Sequence, residues 1–252
     1  MYLTQSSLNM ETTIKIELNN LSLSFGKKVL FNDIDFSLGS GDKVTIVGDN
    51  GCGKSTFLRL LNGEDFPYSG FKDIRGRIGY LPQHFEDVDG DKPSLLILLE
   101  SLHNQDIDQF LLQYQSHQLF SEEWIHVLNS LGGHEIFRQA HLIGLSTDLL
   151  LKPFKQLSGG EKTKTILCAL SVMESDIILL DEPTNHIDLQ GIKWLEDMLK
   201  RYEGGVIMVT HDRSLINAVS NRISELSPHT KKFVHFKGGY KRYLEAVYTI
   251  IY

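Results

Sequence analysis

Short apolar runs alternate along the chain with segments whose apolar residues recur at helical spacing. Ile14–Leu18 alternates apolar and polar residues, which is typical of a half-buried strand, and 36–38 repeats this pattern after a predicted turn at Asn32–Asp33. Further strands are predicted at 43–50, 77–83, 177–182 and 204–212, with a closing hairpin over 223–236.

Helices are predicted between these strands. Segments with helical spacing are 55–62, 157–173, 191–201 and 214–220. From His84 to Gln156 the strand pattern fades and helical spacing dominates, so we predict a helical insertion there, with helices at 93–102, 106–115 and 121–131. The alternation of strand and helix predicts an α/β fold that has a mainly parallel sheet, an antiparallel N-terminal β portion and a helical lobe.

Composition and charge narrow the class of protein. The 252-residue chain is 41% hydrophobic, which suffices for one substantial core or two small lobes. Its net charge of -7 argues against nonspecific polyanion binding by the whole molecule, while a local basic patch stays open. The cysteines, Cys52 and Cys168, provide no disulfide framework and favour a reducing compartment. Without a leader pattern or an apolar run of roughly 18 residues, we expect a cytoplasmic protein with no direct membrane insertion.

The stretch GDNGCGKST lies between a predicted strand and a predicted helix and matches the phosphate-loop pattern G-x-x-x-x-G-K-[ST]. Its glycines let successive backbone N–H groups face a phosphate, and the helix start adds a positive dipole end. Lys54 supplies a point charge to the β and γ phosphates, and the Ser55 hydroxyl suits Mg²⁺. The alternative is a glycine-rich turn with a solvated lysine. The predicted nucleotide-binding residues are Gly48, Asp49, Asn50, Gly51, Cys52, Gly53, Lys54, Ser55 and Thr56.

Adjacent acids end the most apolar predicted strand. Asp181 is predicted to hold Mg²⁺ beside the phosphate loop, directly or through water. Glu182 is expected to point elsewhere, because side chains alternate along a strand, and to orient a water as general base. His211 ends the next strand, and parallel strands present their carboxyl ends to one crevice, so we predict a γ-phosphate contact for it. A helix-capping pair and a surface histidine are the alternatives.

Cys52 gives a smaller hypothesis. It lies within the phosphate loop, near a lysine and a helix N-terminus, a setting that lowers the pKa of a thiol. On this hypothesis the thiol lines the nucleotide pocket, and ATP would slow its alkylation. The alternative is a small residue that simply fits the loop.

The ordered motifs resemble those of ABC-type ATPases over about residues 14–243. LSGGE at 157–161 is similar to the signature sequence of that family, and the phosphate loop, YLPQ, IILLDE and VTHD accompany it in the family's order. The resemblance implies an ATPase that uses ATP and Mg²⁺. It also implies a single ABC ATP-binding domain over 1–252, with a P-loop NTPase (RecA-like) core at 14–83 and 158–252 and a helical signature subdomain at 84–157.

The same resemblance implies roles for individual residues. Phe25 would stack on adenine, and Gln83 would sense Mg²⁺ and the attacking water. Asp188 would lie in the loop that joins two domains. The γ-phosphate of ATP held by a second ABC domain would be bound by the signature residues Ser158, Gly159, Gly160 and Glu161. ATP would then hold two domains head to tail, in a homodimer or with a partner chain, and hydrolysis would release them.

One branch of the family is more similar than the rest. EPTNHID at 182–188 resembles the EPTNHLD of the ABC-F branch, whose members are cytosolic ATPases that act on ribosomes and include antibiotic-resistance proteins. The tail FKGGYKRYLEA resembles that branch's G-N-Y-S-x-Y ending, although Gly239 and Lys241 stand where Asn and Ser are common. Typical members carry two ATPase domains joined by a long helical linker. We therefore expect a fragment, a split gene product or a homodimerising variant.

The leading hypothesis is thus an ABC-F-like ATPase that engages the ribosome. The rival is the ATPase subunit of a membrane transporter, which has the same catalytic motifs. A weakly catalytic, nucleotide-gated interaction module ranks last, because every catalytic position is filled. The basic and aromatic stretch 231–243 is suited to contact ribosomal RNA, but a closing hairpin with core aromatics and solvated lysines is the simpler interpretation.

Overall fold

Two sheets and their covering helices make up the fold in a computed structural model, which describes residues 14–85, 88, 90–101 and 133–251. The strands are β1 (Ile14–Phe25), β2 (Lys28–Gly39), β3 (Lys43–Val47), β4 (Tyr68–Ile74), β5 (Ile78–Leu81), β6 (Ile177–Asp181), β7 (Gly205–Val209), β8 (Arg222–Leu226) and β9 (Phe233–Lys237). The helices are α1 (Lys54–Leu61), α2 (Ser94–Ser101), α3 (Gly133–Ile143), α4 (Thr147–Leu151), a 3-10 turn (Phe154–Gln156), α5 (Gly159–Val172), α6 (Leu189–Arg201), α7 (Arg213–Val219) and α8 (Tyr240–Ile251).

The larger sheet has six strands in the order β5-β6-β7-β3-β8-β9. Strands β5, β6, β7, β3 and β8 pair in parallel, and β9 pairs with β8 in antiparallel as the second arm of the closing hairpin. The smaller sheet, in the order β2-β1-β4, is antiparallel throughout. The predicted α/β class with a mainly parallel sheet and an antiparallel N-terminal portion is confirmed.

The apolar runs of β6 and β7 are explained by cover on both sides of the larger sheet. Ile178 and Leu180 belong to one core cluster, with residues of α2, α3, α5 and α6, whereas Ile177 and Leu179 belong to a second cluster, with residues of α1 and the antiparallel sheet. Because side chains alternate along a strand, both faces must then be apolar. The two clusters hold the carboxyl ends of β3, β6 and β7 at one edge.

The predicted turn at Asn32–Asp33 is wrong, because β2 runs through it. Asp33 has a left-handed φ of 47°, and its backbone N–H donates to the Ser22 hydroxyl at 2.8 Å, so an irregularity in the strand pairing replaces the turn. The chain instead reverses at Gly26–Lys27, where Phe25 pairs with Lys28. Strand β4 and helix α8 were missed; β4 is largely exposed, so its sequence lacks the alternation of a half-buried strand.

The helical lobe is confirmed where the structure describes it. Between β5 and α5 the described residues form helices and the 3-10 turn, with one isolated bridge between Pro93 and Pro153. Of the predicted helices in this region, 93–102 corresponds to α2, while 106–115 and 121–131 lie outside the described residues. The boundaries of the lobe at 84 and 157 stay a prediction.

The pattern of 191–201 predicts an amphipathic helix with Ile192, Leu195 and Leu199 on one face, and helix α6 agrees with it in part. Leu195 and Leu199 are fully buried, as predicted, whereas Ile192 is only partly buried. Trp194, which the pattern missed, is buried and donates its indole N–H to Gln139 Oε1 at 3.0 Å. Within the described part of the chain, every helix is too short or too polar to cross a bilayer.

Candidate functional site

The phosphate loop connects β3 to α1, as the motif predicted. Its glycines adopt positive φ values, 148° at Gly48, 75° at Gly51 and 116° at Gly53. A Cβ at Gly48 would approach the Leu226 carbonyl oxygen to 2.8 Å, so only glycine fits between this loop and β8. The loop is therefore shaped by close backbone packing as well as by conformational freedom.

Lys54 begins α1 and is only 8% exposed. Its ammonium donates to the carbonyl oxygens of Gly48, at 2.8 Å, and Asp49, at 3.0 Å. These two hydrogen bonds close the loop into a ring around the lysine. A buried cation is thus fixed beside the backbone N–H groups of the loop, which is the charge an entering phosphate requires.

A cavity of about 550 Å³ opens over this loop and gathers most of the predicted site residues. It is lined by Phe25, Lys28, Leu30, Asn50, Gly51, Gly53, Lys54, Ser55, Thr56, Gln83, Asp181, Glu182 and Val209. Gly48, Asp49 and Cys52, also predicted, shape the loop without lining the cavity. Lys28 and Leu30 line the cavity but were not predicted from the sequence. A correctly placed hairpin, in which Lys28 pairs with Phe25, would have indicated that they lie near Phe25.

Asp181 ends β6 with its side chain enclosed, and it is 2% exposed. Burial raises the pKa of this carboxyl, which a hydrogen bond from Ser55 and the charge of Lys54 partly oppose. Its Oδ1 atom is buried and has no hydrogen-bond partner among the described residues. This carboxylate oxygen is buried, receives no hydrogen bond within the described part of the chain and lies next to a serine hydroxyl. Oxygen ligands of this kind suit Mg²⁺.

Replacing Asp181 with asparagine is predicted to raise the free energy of unfolding of the ligand-free protein by about 1–2 kcal/mol, because it removes an incompletely satisfied buried charge. The sign follows from the raised pKa: the cost is present above the folded pKa and is relieved as pH falls through it. Thermal melting of both proteins over a pH series from about 8 to about 4 measures this, and the difference should shrink as pH falls toward the ordinary range of the carboxyl.

The same variant supplies its own control. Mg-ATP should raise the melting temperature of the wild type and have far less effect on Asp181→Asn, because a ligand stabilises only the state that binds it. A variant that melts lower than the wild type without ligand would show that the Asp181 charge is satisfied, and would contradict this account of the metal position.

Glu182 lies just beyond β6 and has a left-handed φ of 51°, with its N–H donating to the Val209 carbonyl at 2.8 Å. The expectation that it points away from Asp181 by strand alternation is corrected here: the strand has ended, and both acids line the same cavity. Burial raises the pKa of Glu182, an effect that His211 opposes and Asp181 reinforces. The Nε2 atom of His211 is 3.4 Å from Glu182 Oε1, and this histidine is exposed and is not among the residues lining the cavity.

The hypothesis that Cys52 has a lowered pKa is wrong. The residue is 5% exposed and belongs to the core cluster beneath the loop. Burial raises the pKa of the thiol, and the nearby Lys54 only partly offsets this. Its sulfur would lie 3.1 Å from a Cβ at Gly48, so the alternative of a small residue that fits the loop accounts for it.

The signature residues open helix α5. Ser158 and Glu161 form a reciprocal capping box: the Glu161 carboxylate accepts from the Ser158 N–H at 2.7 Å, and the Ser158 hydroxyl accepts from the Glu161 N–H at 3.4 Å. A Cβ at Gly160 would lie 2.1 Å from the His186 carbonyl oxygen, so glycine is required for close packing there. The side chains of Ser158 and Glu161 thus shape the helix start and occupy each other's backbone N–H groups, so the N–H groups of Gly159 and Gly160 remain as donors toward a ligand.

A second cavity, of about 470 Å³, separates this helix start from the acids. It is lined by Leu81, Pro82, Gln83, His84, Phe85, Gly159, Lys162, Thr163, Asp181, Glu182, Asn185 and His186. The phosphate loop does not contribute to it, which agrees with the expectation that the signature lies apart from its own loop. Sequence reasoning missed His84, Phe85 and Lys162, which flank the predicted Gln83 and the signature.

Asp188 is bound within its own chain. Its carboxylate accepts from the Gly191 N–H at 2.9 Å, as the N-cap of α6, and pairs with the buried Lys164 of α5 at 2.7 Å. The lysine hydrogen bond lowers the pKa of this carboxyl. The loop after Asp181 and Glu182 is therefore tied to the signature helix, while its predicted place between two domains stays a prediction.

Comparison with known proteins agrees with this geometry. The chain is 34% identical over 224 residues to the uncharacterized ABC transporter ATP-binding protein YkpA of Bacillus subtilis, covering 84% of this chain and 42% of YkpA. It is 32% identical over 231 residues to ABC transporter F family member 2 of Arabidopsis thaliana, covering 91% and 30% respectively. It is 31% identical over 242 residues to the energy-dependent translational throttle protein EttA of Haemophilus influenzae, covering 87% and 42%. The chain thus spans less than half the length of these relatives.

The fold recurs in solved structures. The dimeric structure of MJ0796, a bacterial ABC transporter cassette, superposes with a TM-score of 0.68 at 20% identity, covering 88% of this chain and 98% of that one. A family model described as ABC transporter matches residues 31–185, which is more than half of the chain and includes the phosphate loop, both acids and the signature. With the loop, the acids and the signature helix placed as described, the chain belongs to the ABC transporter family of ATP-binding domains, which hydrolyse ATP.

Proposed function

We propose that this chain is an ABC-F-like ATPase domain that binds Mg-ATP, pairs head to tail with a second ABC domain when ATP is bound, and acts on the ribosome. The observation that carries the chemistry is the juxtaposition of a closed phosphate loop with two acids, the buried Asp181 and the partly buried Glu182, in one cavity. The ribosomal part is supported by the EPTNHID stretch and by the relatives named an ABC F family member and a translational throttle protein.

In this proposal the predicted residues in and beside the cavity have defined tasks. Lys54 would exchange its carbonyl contacts for phosphate oxygens, and Ser55, Asp181 and Gln83 would hold Mg²⁺. The metal would neutralise charge on the phosphates. Glu182 accepts a proton from the attacking water, and the burial that raises its pKa makes it a stronger base. His211, beside Glu182, contacts the γ-phosphate, and Phe25 stacks on adenine.

The signature residues are proposed to serve a second domain. The start of α5 offers backbone N–H groups that have no acceptor within the helix, and the helix dipole favours an anion there. Ser158, Gly159, Gly160 and Glu161 would thereby contact the γ-phosphate of ATP bound to the partner domain. The similarity in fold to a cassette whose structure is dimeric supports such a pairing.

The C-terminal hairpin and helix are the proposed contact with ribosomal RNA. The aromatics of this region pack on one another, with ring centroids 5.1 Å apart for Phe236 and Tyr243 and 5.7 Å apart for Tyr240 and Tyr243. These rings are therefore occupied in packing, as the simpler interpretation of the sequence had it. Lys237, Lys241 and Arg242 remain exposed, and their charges are suited to phosphates of RNA.

The ATPase subunit of a membrane transporter is the second candidate. It is favoured by the family model, whose description is ABC transporter, and it requires the same cavity. The two candidates differ in partner: a ribosome in one case and a membrane permease in the other.

Co-sedimentation with ribosomes tests the proposal. Glu182→Gln, which should retain ATP, is expected to pellet with ribosomes in the presence of Mg-ATP and to stay in the supernatant without it. Replacing Lys237, Lys241 and Arg242 with alanine should weaken this binding and reduce its salt dependence, since each phosphate contact contributes roughly 0.7–0.9 to the slope of log K against log salt. A matched control replaces the exposed charges Lys193, Lys200 and Arg201 of α6, and it should sediment like the parent.

Each outcome of that experiment distinguishes the candidates. ATP-dependent sedimentation supports the ribosomal function. Dimerisation with ATP but no sedimentation, together with recovery of a membrane permease in pull-down, would overturn it in favour of the transporter. Equal weakening by both triple variants would refute the assignment of the C-terminal surface.

A further inference from the structure

An aromatic pair lies at the edge of the nucleotide cavity: Phe25 lines the cavity, and Phe66 lies behind it, outside the lining residues. Phe25, at the end of β1, is 44% exposed, which is unusual for a large apolar side chain. The ring of Phe66 meets it edge-on, with centroids 5.7 Å apart and an interplanar angle of 76°. Phe66 is partly buried and packs against the core cluster that contains Cys52 of the phosphate loop and the apolar residues of α1. One face of Phe25 therefore remains available, while its orientation is set by Phe66.

Phe66 is itself held from helix α1. The Arg59 guanidinium lies over the Phe66 ring, 5.5 Å from its centroid. Glu64 pairs with the same guanidinium and accepts from its Nε atom at 2.5 Å. Since α1 begins at the phosphate loop, the contacts run from this helix through Arg59 and Phe66 to Phe25.

The need for such a support follows from where Phe25 stands. Phe25 immediately precedes the two-residue turn at Gly26–Lys27, and both residues of this turn are exposed. An exposed phenyl ring at the end of a hairpin has several rotamers open to it, and restricting them before a ligand arrives reduces the entropy lost on binding. An edge-to-face partner supplies this restriction and leaves the opposite face free for a base.

We propose that Phe66 is a positioning residue for the nucleotide base: it holds Phe25 in the orientation that stacks on adenine and does so without touching the phosphates. This inference rests on the proposed function, in which Phe25 stacks on the base. Phe66 was not identified from the sequence, because it follows α1 by several residues and belongs to no motif.

The test compares a ligand that has a base with one that lacks it. Equilibrium binding of Mg-ATP and of Mg-tripolyphosphate is measured for the wild type, Phe66→Ala, Phe25→Ala and the double variant, together with KM and kcat. Phe66→Ala is expected to weaken ATP binding by about 3- to 10-fold, in keeping with the loss of one aromatic pair, and to leave tripolyphosphate binding unchanged. KM should rise by a similar factor, with kcat at saturating ATP retained.

The double variant separates positioning from direct contact. If Phe66 acts through Phe25, Phe25→Ala/Phe66→Ala should bind ATP no more weakly than Phe25→Ala alone. Additive losses would show that Phe66 acts independently of Phe25 and would overturn the inference. The inference would also be overturned if Phe66→Ala bound ATP normally while Phe25→Ala bound it weakly. That result would leave the proposed nucleotide site unaffected.

Two further results are informative. Normal ATP affinity in Phe25→Ala would overturn the adenine assignment in the proposed function, and the inference with it. If Phe66→Ala also loses tripolyphosphate binding, its fold is damaged, and Phe66→Tyr and Phe66→Leu decide instead. The tyrosine keeps the ring and should retain ATP affinity, whereas leucine keeps the bulk and should lose it; equal affinities would contradict the inference.

Discussion

Lys54→Ala is expected to reduce the affinity for Mg-ATP by more than about 100-fold, because it removes a buried cation that would contact the phosphates. This ammonium is 8% exposed and is held by the carbonyls of Gly48 and Asp49. The charge is therefore fixed at the loop, which contains no other cationic side chain to replace it. Equilibrium binding of a fluorescent ATP analogue, with ATP as competitor, measures the loss.

The same contacts predict a second effect without any ligand. Alanine leaves the two loop carbonyls without their charged donor, so the free energy of unfolding should fall by about 1–3 kcal/mol. Lys28→Ala is the matched comparison: this lysine lines the same cavity but is exposed, and its loss should weaken ATP binding only a few-fold, since solvent screens it. If folded Lys54→Ala binds ATP within about 3-fold of the wild type, the loop does not bind the phosphates as described.

The contrast between Lys54 and Lys28 also shows which parts of the site a sequence can predict. The phosphate loop was predictable because its function depends on residues that are adjacent in the chain, between a strand and a helix of clear pattern. Lys28 lines the same cavity through a hairpin whose turn was misplaced at Asn32–Asp33, since the polar residues there belong to an irregular strand. The chemistry of adjacent residues could be predicted from the sequence, whereas the register of the strands could not.

The parts of the site that the sequence did not predict depend on contacts between segments that are distant in the chain. The requirement for glycine at position 160 comes from the His186 carbonyl, and the burial of Lys164 is compensated by Asp188. Neither contact has a periodic or local signature. The backbone of Glu182 likewise leaves the strand conformation at the point where the alternation rule was applied. The sequence therefore predicted which residues come together at the cavity better than it predicted how they face one another.

The corrected position of Glu182 is the basis of the second large effect. Glu182→Gln is expected to bind Mg-ATP with nearly wild-type affinity and to lose turnover by about 10²–10⁴-fold, since the amide cannot accept the proton of the attacking water. Burial raises the pKa of Glu182, so a neutral amide of the same shape costs the fold little. In the wild type, the turnover rate should fall as pH decreases and Glu182 becomes protonated. Steady-state ATP hydrolysis measured across pH tests this.

Retained binding without hydrolysis has a structural consequence. If ATP joins two domains and its cleavage separates them, Glu182→Gln should accumulate as a dimer with Mg-ATP, visible by size-exclusion chromatography with light scattering, while the wild type dimerises only transiently. Glu203→Gln, which alters an exposed acid after α6, controls for the loss of one charge and should hydrolyse ATP normally. A Glu182→Gln protein that turns over like the wild type would refute the general base. A Glu182→Gln protein that binds ATP without turnover yet stays monomeric would refute the ATP-gated pairing but not the role of Glu182 as general base. The two can be separated because Glu182 acts inside one cavity, whereas the signature residues require a second domain.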